Sequence, residues 1–327
     1  MRRREFIVAM LSASAWPLAA YAQQPKIPPR LCFLTFDPEA SRSTRFGAFF
    51  QGLRDLGYID GRTITVDYLS ADGRGERFPA LAAECLRRKA DIIVASTTPA
   101  TEVAKNATRT IPIVMLALAD PVAAKLVDSV ARPGGNVTGS SMMVSELSAK
   151  RLALLKEAAP KMSRVLVLAY PADPIAALQV KALKKVAPSL GLMLQVQDIQ
   201  TADDIPAAFD AGAKKSAEGL IVGAESIFLV HSARISELAA RYRLPAIYSF
   251  SMPVTNAGGL MAYDPNIPDL QRHAAIYVDR ILKGEKPANL PIEQPTEFAF
   301  VINLKAAKAL GLTIPESILQ RADEIIE

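Results

Sequence analysis

The stretch IPIVMLALADPVAAKLVDSVARPGGNVTGSS, residues 111–141, decides how the chain is organised. It begins with an apolar run typical of a buried strand, turns at Asp120, and continues with a pattern that predicts a short helix over residues 121–130. A Pro-Gly-Gly sequence that starts at Pro133 then breaks the chain. Each flanking region predicts an α/β lobe. We therefore interpret this stretch as the first passage between two lobes, with a ligand cleft beside it.

The region before this stretch alternates between strand-like and helix-like patterns. Apolar or alternating runs predict strands at residues 30–36, 63–69, 91–95 and 111–118, and amphipathic runs predict helices at 41–56, 76–89 and 99–108. Such alternation implies a parallel sheet with helices wound on both of its faces. Ligands in this architecture bind outside the carboxyl ends of the strands.

The region after the stretch repeats the same alternation. Predicted strands lie at residues 165–169, 192–197, 219–223 and 245–248, and predicted helices at 174–190, 203–213 and 227–242. The final part adds strands at 258–263 and 297–302 and helices at 267–282 and 304–310. We expect an α/β protein with two doubly wound parallel-sheet lobes.

Three crossings are expected to join the lobes, near residues 136–140, 258–263 and 296–303. Short crossings would let the lobes hinge while each keeps its own packing. The predicted N-terminal lobe comprises residues 26–138 plus 262–296, and the C-terminal lobe comprises 139–261 plus 297–327.

Composition excludes several classes of function. The 327 residues are half apolar and 22% charged, which suits two well-packed lobes and argues against global disorder. The formal net charge is +5, and Arg2, Arg3 and Arg4 against Glu5 supply +2 of it. The remaining excess is mild and has no basic block, so we expect no nucleic-acid partner.

The N-terminus has the pattern of a secretory signal peptide over residues 1–22. A basic start is followed by an apolar stretch at residues 7–18 and by small residues around Tyr21, which predicts cleavage near Ala22 and a periplasmic mature protein. The sequence from Arg3 also fits a twin-arginine signal, so both the general secretory and the twin-arginine routes stay open.

The two cysteines fall in different predicted elements, Cys32 in the first strand and Cys85 in the second helix. An exported protein permits a disulfide, but this one would have to join a core strand to a packed helix. We therefore expect two small, buried thiols. Two cysteines and two histidines at scattered positions predict no metal site, and the glycine spacing after Pro133 predicts no cofactor loop.

Several sequence blocks, which together cover almost the whole mature chain, carry a family resemblance. They are Gly57-Tyr58-Ile59-Asp60-Gly61-Arg62, Thr110-Ile111-Pro112-Ile113-Val114, Asp120-Pro121-Val122, Arg132-Pro133-Gly134-Gly135-Asn136-Val137-Thr138-Gly139, Lys150-Arg151-Leu152 through Leu155-Lys156-Glu157, Gly258-Gly259-Leu260-Met261, Ile281-Leu282-Lys283-Gly284, and the run from Val301 to Leu312. The chain resembles the substrate-binding proteins of ABC transporters, of the type I periplasmic-binding fold. Within that class it resembles the group that includes tryptophan and other aromatic amino-acid binders.

The resemblance implies a venus-flytrap mechanism. A small solute binds between the lobes, the lobes close, and the closed form docks on a membrane permease. It implies a binding protein without a cofactor, and we expect a monomer. The solute expected from the resemblance is an amino acid, aromatic or otherwise, or another small carboxylate.

Three candidate ligand-binding residues that carry hydroxyl groups lie at positions 96–98. Ser96, Thr97 and Thr98 precede a predicted helix, where free backbone N–H groups and three hydroxyls can bind a carboxylate. The alternative role is plain helix capping. Thr138 and Ser140, at the predicted first crossing, can add donors, or can simply belong to a polar hinge.

Two acidic residues are candidates for a ligand amine. Asp120 can accept a hydrogen bond from an amine, but capping of the helix predicted at 121–130 is the favoured role. Glu225 follows a strand of the second lobe and can pair with an ammonium group, or can be an ordinary acidic helix start. The loop at residues 37–41 is also acidic, which suits a ligand that carries a cationic group.

Three aromatic residues, Phe36, Tyr170 and Tyr248, each end a predicted strand and can stack on a planar ligand. Each can equally lie at the rim or in the core, and we expect two of the three to touch the cleft.

The fold class also admits three other functions. An exported α/β enzyme is the first, but the sequence has no Gly-x-Ser-x-Gly elbow, phosphate loop or metal cluster, and His231 and His273 fall inside predicted helices. A transcriptional regulator of similar fold would need a DNA-binding headpiece. A receptor that serves an extracytoplasmic sensor instead of a transporter remains open.

Overall fold

The computed structural model describes residues 27–39, 42–116 and 120–327. The predicted signal peptide at residues 1–22 lies outside these ranges. Two sheets organise the described chain, and each is the centre of one lobe.

The first sheet has five strands, all parallel, in the order β2-β1-β3-β4-β5. The strands are β1 (Arg30–Thr35), β2 (Thr65–Ser70), β3 (Ile92–Ala95), β4 (Ile113–Leu116) and β5 (Val137–Ser140). The β3 and β4 strands are buried along their whole length, as expected for strands covered by helices on both faces.

The second sheet has seven strands in the order β12-β11-β10-β9-β8-β6-β7. The strands are β6 (Arg164–Ala169), β7 (Met193–Asp198), β8 (Gly219–Val222), β9 (Ala246–Tyr248), β10 (Met261–Pro265), β11 (Phe298–Asn303) and β12 (Glu324–Ile326). All neighbours pair in parallel except β10 and β11, which pair antiparallel because the chain returns from the first lobe before it enters β11. The predicted fold class, an α/β protein with two parallel-sheet lobes, is confirmed.

Thirteen α-helices are present in the described ranges. They are α1 (Arg42–Arg45), α2 (Gly47–Asp55), α3 (Phe78–Arg87), α4 (Thr98–Ala107), α5 (Val144–Ala158), α6 (Ile175–Val186), α7 (Asp204–Lys214), α8 (Ser226–Val230), α9 (Ser232–Arg241), α10 (Met252–Ala257), α11 (Ile267–Leu282), α12 (Leu304–Leu310) and α13 (Glu316–Leu319). Two helices expected as continuous are broken, at Phe46 and at His231. The helix expected at residues 121–130 is absent, and a series of turns follows Asp120 instead.

The β1 strand shows how the first lobe is packed. Leu31 and Phe33 face one cluster, together with α2 and α11, whereas Cys32 and Leu34 face another, together with α3 and α4. This alternation buries both faces of the strand and explains why its sequence is continuously apolar.

A disulfide joins Cys32 of β1 to Cys85 of α3, with the two Cα atoms 5.7 Å apart. The expectation of two free, buried thiols is therefore wrong. The α3 helix packs directly on β1, so its inward-facing residue at position 85 meets the inward-facing residue at position 32. A strand-to-helix bridge needs only this one close approach.

Three short crossings connect the lobes and are tied to one another by backbone hydrogen bonds. The first crossing leaves β5 at Ser140, which pairs with Glu293 on the third crossing. The Ser141 N–H donates to the Glu293 carbonyl at 2.8 Å. On the second crossing, the Asn266 N–H donates to the Glu297 carbonyl of the third at 3.0 Å.

Residues 137–140 lie within the first predicted crossing, but they form β5. This strand is at the edge of the first sheet and pairs with β4. Gly139 has φ +130°, and a Cβ at this position would lie 2.1 Å from the Met115 carbonyl oxygen. Only glycine allows β5 to lie this close to β4.

Candidate functional site

The carboxyl ends of both sheets face each other across a cleft with two chambers. The first chamber has a volume of about 410 Å³ and is lined by residues of both lobes, among them Phe36, Thr97, Tyr170, Asp173, Ser226 and Ile227. The second chamber has a volume of about 510 Å³ and is lined by Arg45, Ser96, Leu116, Phe250, Asp264 and Gln271, with further residues of the same elements. Both chambers lie where a doubly wound sheet binds ligands.

The three hydroxyl residues 96–98 are buried at the boundary of the two chambers. The Ser96 hydroxyl donates to Thr35 Oγ1 at 2.8 Å, and Ser96 lines the second chamber. Thr97 is the N-cap of α4 because its hydroxyl accepts a hydrogen bond from the Ala100 N–H at 3.1 Å. Thr97 also lines the first chamber, so the two roles predicted for it are compatible.

Asp173, which lines the first chamber, and Glu225, which lies behind it, are two buried carboxyl groups. Burial raises the pKa of Asp173 to about 8, and the charge of Glu225 adds to that rise. Burial likewise raises the pKa of Glu225 to about 7. Neither carboxyl forms an ion pair within the described residues. The site therefore favours a cationic group that would compensate them.

The Glu225 carboxylate is fixed in place by its surroundings. Its Oε1 accepts a hydrogen bond from the Tyr170 N–H at 3.1 Å, while Oε2 has no partner of ordinary geometry in the described chain. The neighbouring Gln179 amide partly offsets the rise in pKa. A Cβ on Gly223 would lie 2.0 Å from Oε2, so glycine at that position makes room for the carboxylate.

Thr98 brings the first lobe to the same carboxyl pair. Its hydroxyl makes no hydrogen bond of ordinary geometry among the described residues, yet it lies close enough to Asp173 to lower the pKa of that carboxyl slightly. An unpartnered buried hydroxyl facing an acidic group marks a position that a ligand can complete.

Two of the three aromatic candidates line the first chamber. The rings of Phe36 and Tyr170 meet edge to face, with centroids 6.4 Å apart, one from each lobe. Tyr248 lies instead in the core of the second lobe and is 1% exposed, with its hydroxyl accepting a hydrogen bond from Ser236.

Arg45 connects the two lobes across the boundary between the chambers. Its guanidinium pairs with the buried Asp37 and donates to the Ser226 hydroxyl of the second lobe at 3.1 Å. Its carbonyl accepts a hydrogen bond from the Gln271 amide at 2.7 Å. Sequence reasoning missed Arg45 because it fell within an expected continuous helix. The acidic loop noted at residues 37–41 was the available signal, since a buried Asp37 requires a cation nearby.

Asp264 lies at the end of β10 and lines the second chamber. It accepts hydrogen bonds from the Ser251 N–H at 2.9 Å and from the Ser251 hydroxyl at 2.5 Å. Burial raises the pKa of Asp264 to about 6, and the Ser251 hydrogen bonds and nearby Arg151 oppose that rise. Arg151 is itself fully buried and donates to the carbonyls of Tyr263 and Ser249. Arg151 belongs to one of the blocks that carry the family resemblance, but the local sequence predicted no role for either residue.

Three further candidates use their polar groups within the fold. The Thr138 hydroxyl donates to the Leu290 carbonyl at 2.7 Å, and the Ser140 hydroxyl donates to the Leu270 carbonyl at 3.4 Å. Asp120 is a helix cap, as favoured, but of a different helix. Its carboxylate accepts hydrogen bonds from the backbone N–H groups of Val144 and Ser145 at the start of α5.

The described residues contain no group of three or more histidine, cysteine, aspartate or glutamate side chains that could hold a metal ion. Within the same ranges, no helix is both long enough and apolar enough to cross a bilayer.

Comparison with known proteins identifies related chains. The family model for "ABC transporter substrate binding protein" matches residues 37–326. A "tyrosine-binding protein" from Clostridioides difficile is 29% identical over 264 residues, which are 81% of this chain and 75% of the relative.

Two solved structures share the fold. A domain from Streptococcus pneumonia in complex with L-Trp superposes with a TM-score of 0.83 at 24% identity, covering 91% of this chain and 100% of the other. A ligand-free, open substrate-binding protein with adhesive properties from Clostridium difficile superposes with a TM-score of 0.64 at 27% identity, covering 91% and 99%.

Proposed function

The chain belongs to the ABC transporter substrate-binding proteins, and from this premise we propose that it captures an aromatic amino acid between its two lobes for an ABC importer. Members of this family are binding proteins and not enzymes. One relative is named for tyrosine, and one structural neighbour was solved with L-Trp. These relatives make an aromatic amino acid the first solute to test.

The observation that carries the proposal is the pair of buried carboxyls formed by Asp173, which lines the first chamber, and Glu225, whose charge acts on Asp173. An amino acid brings an ammonium group that would favour the ionised form of these carboxyls and pair with it. A simple carboxylic acid brings only further negative charge. The pair therefore favours an amino acid over the small carboxylates that sequence reasoning also allowed.

The carboxylate of the same ligand has a suitable position beside the ammonium group. The N-terminus of α4 lies at the first chamber, where Thr97 lines the wall and the Thr98 hydroxyl lies close to Asp173. The helix dipole favours an anion there. The Phe36 and Tyr170 rings add apolar contact at the same chamber. We propose Phe36, Thr97, Thr98, Tyr170, Asp173 and Glu225 as the ligand set, with Ser96 at its edge.

The lobes are arranged as a closed flytrap in this proposal. Arg45 reaches from the first lobe to Ser226 of the second. The superposition is also better on the L-Trp complex than on the open structure, although the two identities are similar. A ligand stabilises the closed form by its differential affinity for the closed state, and the closed form is the one that we propose docks on the permease.

Lobe boundaries and location complete the proposal. Taking each sheet as the centre of a lobe, we place the N-terminal lobe at 27–140 plus 266–293 and the C-terminal lobe at 141–265 plus 294–327. We propose export to the periplasm, with cleavage near Ala22. Cell fractionation and N-terminal sequencing of the mature protein test this, and an intact N-terminus in a cytoplasmic fraction would contradict it.

Isothermal titration of protein refolded from denaturant, and so stripped of carried-over ligand, tests the solute. The panel contains tyrosine, tryptophan, phenylalanine and alanine, together with tyramine, which lacks the carboxylate, and 4-hydroxyphenylacetate, which lacks the amine. We expect binding of aromatic amino acids and loss of at least tenfold in affinity for each truncated analogue, since each loses a charge-assisted hydrogen bond of about 1.5–3 kcal/mol. Tight binding of 4-hydroxyphenylacetate with none of tyrosine would overturn the assignment.

A further inference from the structure

The second chamber is a separate compartment of the same cleft. Its volume is about 510 Å³, larger than that of the first chamber. Apolar side chains dominate its wall, and Leu116, Phe250 and Ile267 supply them from both lobes. The groups that would bind the amino and carboxylate ends of an amino acid lie at the first chamber, so the second chamber is left without an assigned role.

The two chambers share their walls. Ser96 lines the second chamber, and Thr97, the next residue, lines the first. The short helix α8 also contributes to both, because Ser226 lines the first chamber and Leu229, one turn later, lines the second. Arg45, which lines the second chamber, also donates to the hydroxyl of Ser226, which lines the first, at 3.1 Å.

One buried carboxylate, that of Asp264, stands on this wall, together with the polar side chains of Arg45, Ser96 and Gln271. Asp264 is 5% exposed, and its two oxygens accept one hydrogen bond each, from the Ser251 N–H and hydroxyl. Each carboxylate oxygen can accept more than one hydrogen bond, so both retain acceptor capacity. Arg151 holds no direct ion pair with Asp264 at standard distance, because its guanidinium donates to the Tyr263 and Ser249 carbonyls.

We propose that the second chamber receives the side chain of the bound amino acid and that Asp264 accepts a hydrogen bond from a donor at the far end of that side chain. The donor is a phenol O–H or an indole N–H. This inference rests on the proposed function, and it makes Asp264 the residue that distinguishes tyrosine and tryptophan from phenylalanine.

The chemistry of the wall supports this class of ligand. An aromatic ring gains from transfer into an apolar chamber, whereas a buried carboxylate with free acceptor capacity gains from a donor. A site that hydrogen-bonds a ligand donor rejects the analogue that lacks it, since the buried acceptor then stays incompletely solvated. Phenylalanine would bury the same ring and leave Asp264 without its additional donor.

The test compares affinities for tyrosine and phenylalanine within each protein, so that any loss of folded protein cancels. The wild-type protein should bind tyrosine at least tenfold more tightly, and Asp264→Asn should reduce that ratio about tenfold, the value of one hydrogen bond to a charged group. A second variant, Ala48→Phe, places a ring into the second chamber from the partly exposed face of α2. It should weaken tyrosine, tryptophan and phenylalanine alike.

The outcomes separate this inference from the proposed function. An unchanged tyrosine-to-phenylalanine ratio in Asp264→Asn, or full affinity in Ala48→Phe, overturns the inference while aromatic amino-acid binding itself still stands. Failure of the wild-type protein to bind either amino acid removes the proposed function, and this inference with it.

Discussion

The Glu225 carboxylate accepts a hydrogen bond from the Tyr170 backbone N–H at 3.1 Å, and its second oxygen is left without a partner of ordinary geometry in the described chain. Tyr170 follows β6 and Glu225 follows the neighbouring strand β8, so a contact between two strand ends fixes the carboxylate. The free oxygen of Glu225 lies beside Gly223. We expect Glu225→Gln to weaken amino-acid binding about tenfold or more, because the ammonium loses a charge-assisted acceptor. Titration calorimetry measures this.

The matched control for that variant is Asp203→Asn, which makes the same change of charge at a side chain that is 96% exposed. It should leave the affinity unchanged. Equal affinity in Glu225→Gln and the wild-type protein would place the ammonium group elsewhere.

Binding should strengthen as the pH rises from 6 to 8. The folded-state pKa values of Asp173 and Glu225, about 8 and about 7, are raised, so the empty cleft holds protons over this range. An ammonium group favours the ionised carboxylates, so binding releases protons and becomes more favourable at higher pH. Calorimetry at pH 7 in two buffers of different ionisation enthalpy measures the proton release. Proton uptake, or affinity that falls towards pH 8, would contradict the prediction.

The same two carboxyls should make the ligand-free protein less stable as the pH rises. Their pKa values in the unfolded chain are about 4, so between about pH 4 and 8 the folded protein holds more protons than the unfolded chain. The contribution of the two carboxyls to the free energy of unfolding is therefore largest below their pKa values in the unfolded chain. It is lost as the pH approaches 8. Denaturation by urea at several pH values should show this slope flattened in Glu225→Gln. An equal slope in both proteins would count against a raised pKa at Glu225.

Thr97→Val should affect both stability and ligand binding. Loss of the hydrogen bond to the Ala100 N–H removes the cap of α4 and costs about 1 kcal/mol of the free energy of unfolding. Loss of a hydroxyl at the first chamber should also weaken binding, measured well below the unfolding temperature. Thr97→Ser keeps the hydroxyl and should restore both. If the valine variant binds with full affinity, the α4 N-terminus is not the carboxylate site.

The disulfide should stabilise the first lobe substantially. Cys32 and Cys85 are 53 residues apart in sequence, and closing a loop of this length restricts the unfolded chain enough for about 2–4 kcal/mol. Replacement of both by alanine, measured by denaturation against the oxidised wild-type protein, should show a loss of that size. Addition of a reductant should destabilise the wild-type protein and leave the double variant unaffected. Identical stability of the two proteins would show that the bridge adds nothing.

Asp120→Ala should loosen the start of α5. The Met143 residue before this helix has φ +51° and offers no side-chain cap, so the Asp120 carboxylate provides the acceptor for the exposed N–H groups. Loss of such a cap costs about 0.5–2 kcal/mol. Hydrogen exchange of the Val144 and Ser145 amides should accelerate, while the amides of α4 should not change. Unaltered exchange at both amides would exclude the capping role.

The order of the elements could be predicted because hydrophobic periodicity is a local property of the sequence. The β1 run from Leu31 is apolar because both of its faces are covered, and this is visible without a structure. The assignment of residues 137–140 to a strand of the first sheet was missed, because pairing with β4 depends on the close approach at Gly139. The helix breaks at Phe46 and His231 were also missed, because the sequence on each side of the break keeps a helical pattern.

The candidate site was predictable only in part. Residues at strand ends, such as Thr97, Tyr170 and Glu225, could be named because position in a doubly wound sheet is itself a signal. Arg45 and Asp264 could not, because their roles depend on contacts with residues distant in sequence. Asp120 shows the same limit, since the helix that it caps starts 24 residues later and not at Pro121.

The hydrogen bonds among the three crossings determine which motion the lobes retain. Ser141 is tied to Glu293 and Asn266 to Glu297, so the crossings form one narrow ribbon instead of three independent tethers. Translation of one lobe past the other would break these hydrogen bonds, whereas bending across the ribbon keeps them. The molecule is thereby left with close to one degree of freedom. Little chain entropy is then lost on closure, so this cost subtracts little from the ligand's affinity.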